Sequence, residues 1–369
     1  MNNYAIIMAG GFGTRFWPKG TMKMPKQFLC IESDDESMIQ KTFKRLEPIF
    51  GTTKIFVVTG LQHKAIVKKQ IPQLPEENII LEPFGRNTAP CIALTCLIIK
   101  QFDEKANVFV VPSDHIINDT HEFERVIKCG LSFVHSNGGI ITLGIHPTKP
   151  ETGYGYIQFN SEEEFKIDIS VNTSGEICEN IYKVKTFAEK PTLEVAKAFL
   201  ESGDFLWNSG MFIFRNDTML EEIGEYLPDL YSAIMQLEEH IYSNDFPKLL
   251  ENAYSQIKGI SIDYGVMEKS QRVYTIISRF DWSDVGSWDE IYRIREKDSG
   301  GNVKHGRTVL INSKNCMVIN DQRISAVIGC EDLLIIDTDN GLLICKKGES
   351  QNVKEVVDYL RRKGLEQFL

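Results

Sequence analysis

Near its start the chain carries glycines, one arginine and several lysines at spacings that suit the binding of phosphate: Ala9-Gly10-Gly11-Phe12-Gly13-Thr14-Arg15, followed by Lys19, Lys23 and Lys26. Glycine lets backbone N–H groups approach an anion closely, and the cations neutralise it. No acidic residue falls between Phe12 and Phe28, although the whole chain carries a formal charge of -10. A chain of that sign repels anions overall, so any it binds must be held by a local positive cluster such as this. Two familiar glycine loops do not fit. The dinucleotide fingerprint needs glycine at position 16, where Phe16 stands, and an unbroken helix, which Pro18 and Pro25 interrupt. The other pattern needs Gly-Lys-Ser or Gly-Lys-Thr, and neither follows.

Asp114 ends the apolar run Val108 to Val111, which places a carboxylate at the ligand-binding edge of a parallel sheet. The less favoured alternative is a helix cap before His115 and Ile116. Thr88-Ala89-Pro90 reads as a helix start, since the threonine hydroxyl can cap and proline is tolerated in the first turn. Arg86-Asn87-Thr88 is thereby expected at a helix N-terminus. Eight cysteines show no Cys-x-x-Cys pair and no histidine at zinc-finger spacing. They are expected to be buried reduced thiols.

The elements that must position these groups alternate. Strands are expected at Tyr4 to Met8, Lys54 to Thr59, Asn78 to Leu81 and Asn107 to Val111, with helices after Ser37, from Leu61 and after Thr88. Runs such as Ile55-Phe56-Val57-Val58 are continuously apolar, as strands covered on both faces should be, so the sheet is expected to be mixed but mostly parallel. From Tyr154 to Phe214 strands are broken by polar loops, with helical stretches near Leu193 to Leu200 and Asp217 to Leu227. The turn formers Asp298-Ser299-Gly300-Gly301-Asn302 read as a linker, giving domains at 1–297 and 298–369. Beyond them short strands recur at Thr308 to Ile311, Cys316 to Ile319, Ala326 to Ile328, Leu333 to Ile336 and Leu342 to Cys345. That regularity suggests a small β-solenoid or meander. A terminal helix places Val353, Val356, Val357 and Leu360 on one stripe and stops at Gly364.

Gly-Gly-x-Gly-Thr-Arg, Trp17-Pro18 and Pro25-Lys26-Gln27 together resemble the signature of sugar-nucleotide pyrophosphorylases. Within them the chain is similar to the mannose-1-phosphate guanylyltransferases. The similarity runs through Glu82-Pro83-x-x-Arg86-Asn87-Thr88-Ala89-Pro90, Pro112-Ser113-Asp114-His115 and Phe187-Ala188-Glu189-Lys190-Pro191. It continues through Trp207-Asn208-Ser209-Gly210-Met211-Phe212, Ser261-Ile262-Asp263-Tyr264-Gly265-Val266-Met267-Glu268 and Trp282-Ser283-Asp284-Val285-Gly286. The resemblance implies a Rossmann-like nucleotidyltransferase domain, then a left-handed β-helix-like domain ending in a helix. It implies GTP and mannose 1-phosphate as substrates, with Asp114 and Asp284 holding Mg²⁺. Arg15 and Lys26 would neutralise the triphosphate, and Lys190 would bind the sugar's phosphate. Gly10, Gly11, Gly13, Thr14, Glu82, Asn87 and Thr88 would meet the nucleotide, and Gly155, Glu189, Asn208 and Asp263 the sugar. Some relatives carry a further isomerase domain, and this chain ends soon after its helix, so a single activity is expected. The resemblance also implies a homodimer.

Composition is that of an ordinary globular protein, 42% hydrophobic and 25% charged, with no apolar run long enough to span a bilayer. Met1-Asn2-Asn3-Tyr4 enters a strand without a basic leader, and a cytoplasmic protein that binds neither nucleic acid nor membrane is expected. The alternatives left open are another sugar 1-phosphate, such as a manno-heptose or glucose, and a non-catalytic sugar-nucleotide-binding regulator.

Overall fold

Apolar β-branched runs form the first four strands, β1 (Asn3–Met8), β2 (Ile55–Gly60), β3 (Ile79–Glu82) and β4 (Asn107–Pro112), all parallel, in the order β3-β2-β1-β4. The computed structural model describes residues 2–11, 13–32, 35–168 and 177–369, and of Ile167, Asp168, Ile177 and Glu179 only the backbone. Met1 and Phe12, part of the sequence readings above, lie outside the described residues, as does the stretch 169–176. Helices α1 (Met38–Phe50), α2 (Lys64–Gln70) and α3 (Thr88–Lys100) connect these strands. Ile6, Val57 and Val110 are wholly buried, as strands covered on both faces require.

After β5 (Ile116–Ile117) and α4 (Thr120–Asn137) come β6 (Ile140–Ile145), β7 (Gly155–Asp168), β8 (Ile177–Glu189), α5 (Leu193–Ser202) and β9 (Phe205–Arg215). Helices α6 (Asn216–Tyr226), α7 (Pro228–Met235) and α8 (Phe246–Gln256) precede β10 (Val273–Ser278). The sheet reads β3-β2-β1-β4-β9-β6-β10-β8-β7. It is mixed as expected: β6 and β10 run parallel, whereas β9 is antiparallel to β4 and β6, and β7 and β8 form an antiparallel ribbon. Helix α3 is apolar almost all round and is buried on most sides, with Met219, Ile223, Leu230, Leu250 and Tyr254 of α6, α7 and α8 in the same core.

The remaining elements are β11 (Trp282–Ser283), α9 (Trp288–Ile294), β12 (Val303–His305), β13 (Thr308–Ile311), β14 (Met317–Asn320), β15 (Ser325–Ile328), β16 (Leu333–Thr338), β17 (Gly341–Lys346) and α10 (Val353–Arg362). Strands β12, β14 and β16 stack in parallel, with Val303 beside Met317 and Met317 beside Leu334, and β13 stacks on β15. This is a β-helix-like coil, closed by the antiparallel β17. On α10 Val353 and Val357 are buried and Leu360 partly so, while Val356 of the expected stripe is 37% exposed.

By its contacts the chain forms two compact units. One comprises residues 1–10, 43–112 and 117–282, and holds the nine-stranded sheet. The other comprises 11–42, 113–116 and 283–369, so the glycine loop from Gly11 onward shares a unit with the coil. The core of this second unit joins Phe16, Trp17, Leu29 and Trp288 to Met317, Leu334 and Val357. Trp288 Nε1 donates to the Trp17 carbonyl (3.1 Å), and Trp17 Nε1 donates to that of Phe368 (2.8 Å).

Two local readings are corrected. Asn87, not Thr88, caps α3: its Oδ1 accepts from Thr88 N, leaving the Thr88 hydroxyl to accept from Ile262 N at 2.8 Å. Cys129 of α4 and Cys178 of β8 form a disulfide, 49 residues apart, rather than reduced thiols. The other six cysteines are free, and Cys30, Cys330 and Cys345 are only partly buried. Among the described residues no helix is long and apolar enough to cross a membrane.

Candidate active site

The turn Lys26–Phe28 is buried, Lys26 to 6% exposure. An ammonium taken out of water needs negative partners. Its Nζ lies 2.8 Å from Asp114 Oδ2, donates to the Asp284 carbonyl, and sits 5.6 Å from the centre of the Phe16 ring. Burial alone would raise the Asp114 carboxyl. The charges of Lys26 and His115, with hydrogen bonds from Lys26 and the residue's own amide, outweigh burial and hold it below the usual carboxylate value.

The glycines upstream differ in what they do. Gly13 has φ +55°, and a Cβ there would stand 2.7 Å from both Cβ and N of Lys26. Only glycine satisfies that conformation and that approach together. Gly11 has φ +89°, with no neighbour within 4 Å of a built Cβ, and its carbonyl accepts from Gln27 Nε2 at 3.4 Å. Gly10, in the first unit, has neither a positive φ nor such a neighbour. Thr14 and Arg15 lie in the turn Thr14–Phe16, and Arg15 is exposed. A Cβ on Gly286 would lie 3.6 Å from both Asp284 carboxylate oxygens and 3.8 Å from Arg15 Nη1. Val285 beside it is buried at φ +48°, an uncommon conformation for a β-branched residue. The second unit thus brings together Gly11, Gly13, Thr14, Arg15, Lys26, Asp114 and Asp284. Two hard carboxylates with most other coordination positions left to water or substrate oxygens fit Mg²⁺.

A second cluster lies in the first unit. Gly155 faces Glu189 across β7 and β8, and a Cβ on it would run into Glu189 Oε2 and stand 3.3 Å from Asn208 Cβ. Asn208 Nδ2 donates to Asp263 Oδ1 (2.8 Å), while its Oδ1 accepts from Thr142 Oγ1 (3.0 Å) and Gly210 N (3.1 Å). Burial, aided by the negative charge of Glu189, pushes the Asp263 carboxyl up to about 6 against the hydrogen bond from Asn208. Lys190 Nζ lies 2.9 Å from Glu189 Oε1, a contact that raises the lysine's pKa, and the residue has φ +49° with 59% of its side chain exposed. Gly155, Glu189, Lys190, Asn208 and Asp263 therefore form one polar group. Thr142, which fixes the Asn208 amide, went unread in the sequence. So did the aromatic trio in which Tyr154 stands 5.2 Å from both Trp207 and Trp282. A signal was present: Tyr154 and Trp207 immediately precede Gly155 and Asn208.

A third group, also in the first unit, is Glu82, Asn87 and Thr88, spanning the end of β3 and the start of α3. Glu82 is 6% exposed, and burial pushes its carboxyl up to about 7 against a hydrogen bond from the Tyr254 hydroxyl. Asn87 has φ +71°.

Two family models match the chain: nucleotidyl transferase over residues 4–300, and the MannoseP isomerase/GMP-like beta-helix domain over 306–360. A mannose-1-phosphate guanylyltransferase of Salmonella montevideo is 37% identical over 364 residues, 96% of this chain and 73% of that protein. The alginate biosynthesis protein AlgA of Pseudomonas syringae pv. tomato is 34% identical over 97% of this chain and 72% of its own. The crystal structure of a mannose-1-phosphate geranyltransferase from Thermus thermophilus superposes with a TM-score of 0.84 at 30% identity, covering 98% of this chain and 100% of the other.

The three glycines of the loop should rank by what their Cβ would meet. Gly10→Ala should leave the melting temperature unchanged, Gly11→Ala should lower it through its positive φ by about 1 kcal/mol of stability, and Gly13→Ala should lower it most. Thermal unfolding of the three variants decides this, and a Gly13→Ala protein no less stable than Gly11→Ala would disprove the contact with Lys26.

Proposed function

The chain belongs to the nucleotidyl transferase family, and from that premise we propose that it joins GTP to α-D-mannose 1-phosphate, forming GDP-mannose and releasing diphosphate. The observation that carries the reading is Lys26, whose ammonium pairs with the Asp114 carboxylate and donates to the Asp284 backbone carbonyl, bringing the loop cation and both aspartates together in one unit. The choice of mannose and guanine is supported by the relatives' names alone.

In this reading an oxygen of the sugar phosphate attacks the α-phosphorus of GTP in line, the new P–O bond forms, and the bond to the departing diphosphate breaks. The second pKa of a phosphate monoester is near 6, so the nucleophile is largely ionised at neutral pH and no general base is required. The chain's task is positioning and charge. Backbone at Gly10, Gly11, Gly13 and Thr14 approaches the triphosphate, and Arg15 and Lys26 offset its negative charge. Asp114 and Asp284 would hold Mg²⁺, which when bound polarises phosphoryl oxygens and neutralises developing charge. Lys190 meets the sugar's phosphate. Asp263, ionised above about pH 6, Glu189 and Asn208 accept from sugar hydroxyls, with Gly155 backbone close by. Glu82, Asn87 and Thr88 meet base and ribose.

The division into residues 1–297 and 298–369 is proposed for the two family modules, supported by their matches over 4–300 and 306–360. A cytoplasmic location follows from the substrates, and cell fractionation would place it. A homodimer is proposed through the coil, where Ile311 pairs with Ile328 and Leu342 and Ile344 of β17 are 52% and 58% exposed.

A matrix of four nucleoside triphosphates against mannose, glucose and heptose 1-phosphates with Mg²⁺ should release diphosphate chiefly with GTP and mannose 1-phosphate. Release nowhere would remove the transferase reading, and release with UTP and glucose 1-phosphate would remove the mannose assignment. Asp284→Ala should lower turnover by about 100-fold or more with an unchanged circular dichroism spectrum, and full activity in it would disprove the metal pair. Sedimentation equilibrium should give twice the 42.0 kDa chain mass, whereas a monomer at all concentrations would exclude the dimer.

A further inference from the structure

Tyr254 lies far in sequence from every stretch that carries the family resemblance to the nucleotide, yet it touches the Glu82–Pro90 segment at four places. It is on α8 and wholly buried. Its hydroxyl donates toward Glu82 Oε1 at 3.1 Å and the Pro90 carbonyl at 3.3 Å, 172 and 164 residues away. Its own carbonyl accepts from Arg86 Nε at 3.0 Å. Its ring packs edge-on against Phe84, centroids 6.2 Å apart, and Phe84 in turn lies 5.1 Å under the Arg86 guanidinium. The chain just after α8 continues the grip: Ile260 N donates to the Arg86 carbonyl (3.2 Å), Ala89 N to that of Ile260 (3.1 Å), and Ile262 N to Thr88 Oγ1 (2.8 Å).

We propose that Tyr254 is the positioning residue of the nucleotide site, aiming the Glu82 carboxyl group and holding the loop from Phe84 to Asn87 in one arrangement so that the base is read as guanine. This rests on the reading of Glu82 as a nucleotide contact. The chemistry is specific. An ionised carboxylate only accepts, which suits the N1–H and N2–H donors on one edge of guanine; a protonated one also donates, which suits adenine's acceptor-donor edge. A buried carboxylate stays ionised only if something donates to it. Among the described residues the titratable side chain that acts on Glu82 is Tyr254 from α8, while Glu82 itself raises the Cys91 thiol of α3; burial pushes both the tyrosine and the thiol up. Tyr254 is the one that donates to Glu82, and its hydrogen bond lowers the Glu82 pKa. Losing the hydroxyl therefore removes that donor and raises the Glu82 pKa further, shifting the carboxyl group toward its protonated form.

Tyr254→Phe keeps ring and carbonyl and deletes the hydroxyl alone. At pH 7 it should raise the KM for GTP about 5- to 30-fold, leave the KM for mannose 1-phosphate unchanged, and shrink the preference for GTP over ATP. Raising the pH, which favours the ionised carboxylate, should restore part of the GTP affinity. In a Glu82→Gln background the same change should add less than about 2-fold. An unchanged KM for GTP, equal rises for both substrates, a defect that does not respond to pH, or independent multiplication of the two substitutions would each overturn the proposal. If Tyr254→Phe is recovered unfolded, Glu82→Gln alone decides: it must raise the KM for GTP and not that for mannose 1-phosphate, and any other result overturns the proposal. Wild-type protein that releases no diphosphate would defeat the transferase reading and not this one, because calorimetric titration with GTP reads the loss in Tyr254→Phe without turnover.

Discussion

A lysine side chain carries its charge into the interior only where negative groups meet it, and the geometry of the glycine loop follows from that requirement at Lys26. Its ammonium ties Asp114, from the end of β4, to Asp284, from the turn after β11. Its backbone and Cβ press on Gly13, so the loop passes close to the same point. Removing the Asp114 carboxylate would leave the buried ammonium without its charged partner, a loss of about 3–5 kcal/mol in comparable cases. The pair thus constrains three distant stretches of sequence to one place, and it keeps Asp114 anionic at the same time.

Much of this was legible in the sequence because it is local. Continuous β-branched runs gave β1 to β4, the recurrent short strands gave the coil from β13 to β17, and Gly364 marked the stop after α10. The loop glycines and their cations were visible for the same reason. What escaped was set by tertiary contact. No spacing rule joins Cys129 to Cys178, or Tyr254 to Glu82. The Thr88 hydroxyl was free to leave the helix cap only because Asn87 took it, and its new partner Ile262 is 174 residues away. The three-residue β12 was also missed, since a strand so short has almost no periodicity to read.

Three of the seven non-glycine residues at positive φ among the described residues lie where the chemistry is expected. Asn87 caps α3, Lys190 follows the last residue of β8, and Val285 follows Asp284. Such conformations cost of order 1–3 kcal/mol each and persist only when surrounding contacts over-determine them. Here those contacts are visible: the Asn87 side chain accepts from Thr88 N, Lys190 N donates to the Tyr154 carbonyl at 3.2 Å, and Val285 N donates to Ser283 Oγ at 3.1 Å. At each of the three the backbone turns sharply beside a polar side chain held by the packed elements around it.

The tryptophan chain in the second unit has a consequence for synthesis. Trp17 emerges from the ribosome early, but its carbonyl waits 271 residues for Trp288 and its indole N–H waits 351 for Phe368. At roughly 5–20 residues per second that is about 20–70 s during which residues 11–42 have been made and lack the rest of their core. The sheet of the first unit is complete once β10 has been made, while the glycine loop reaches its final packing only after translation has passed Phe368. A nascent chain is therefore without its charge-bearing loop in working form until that point, and one arrested before Trp288 never acquires it.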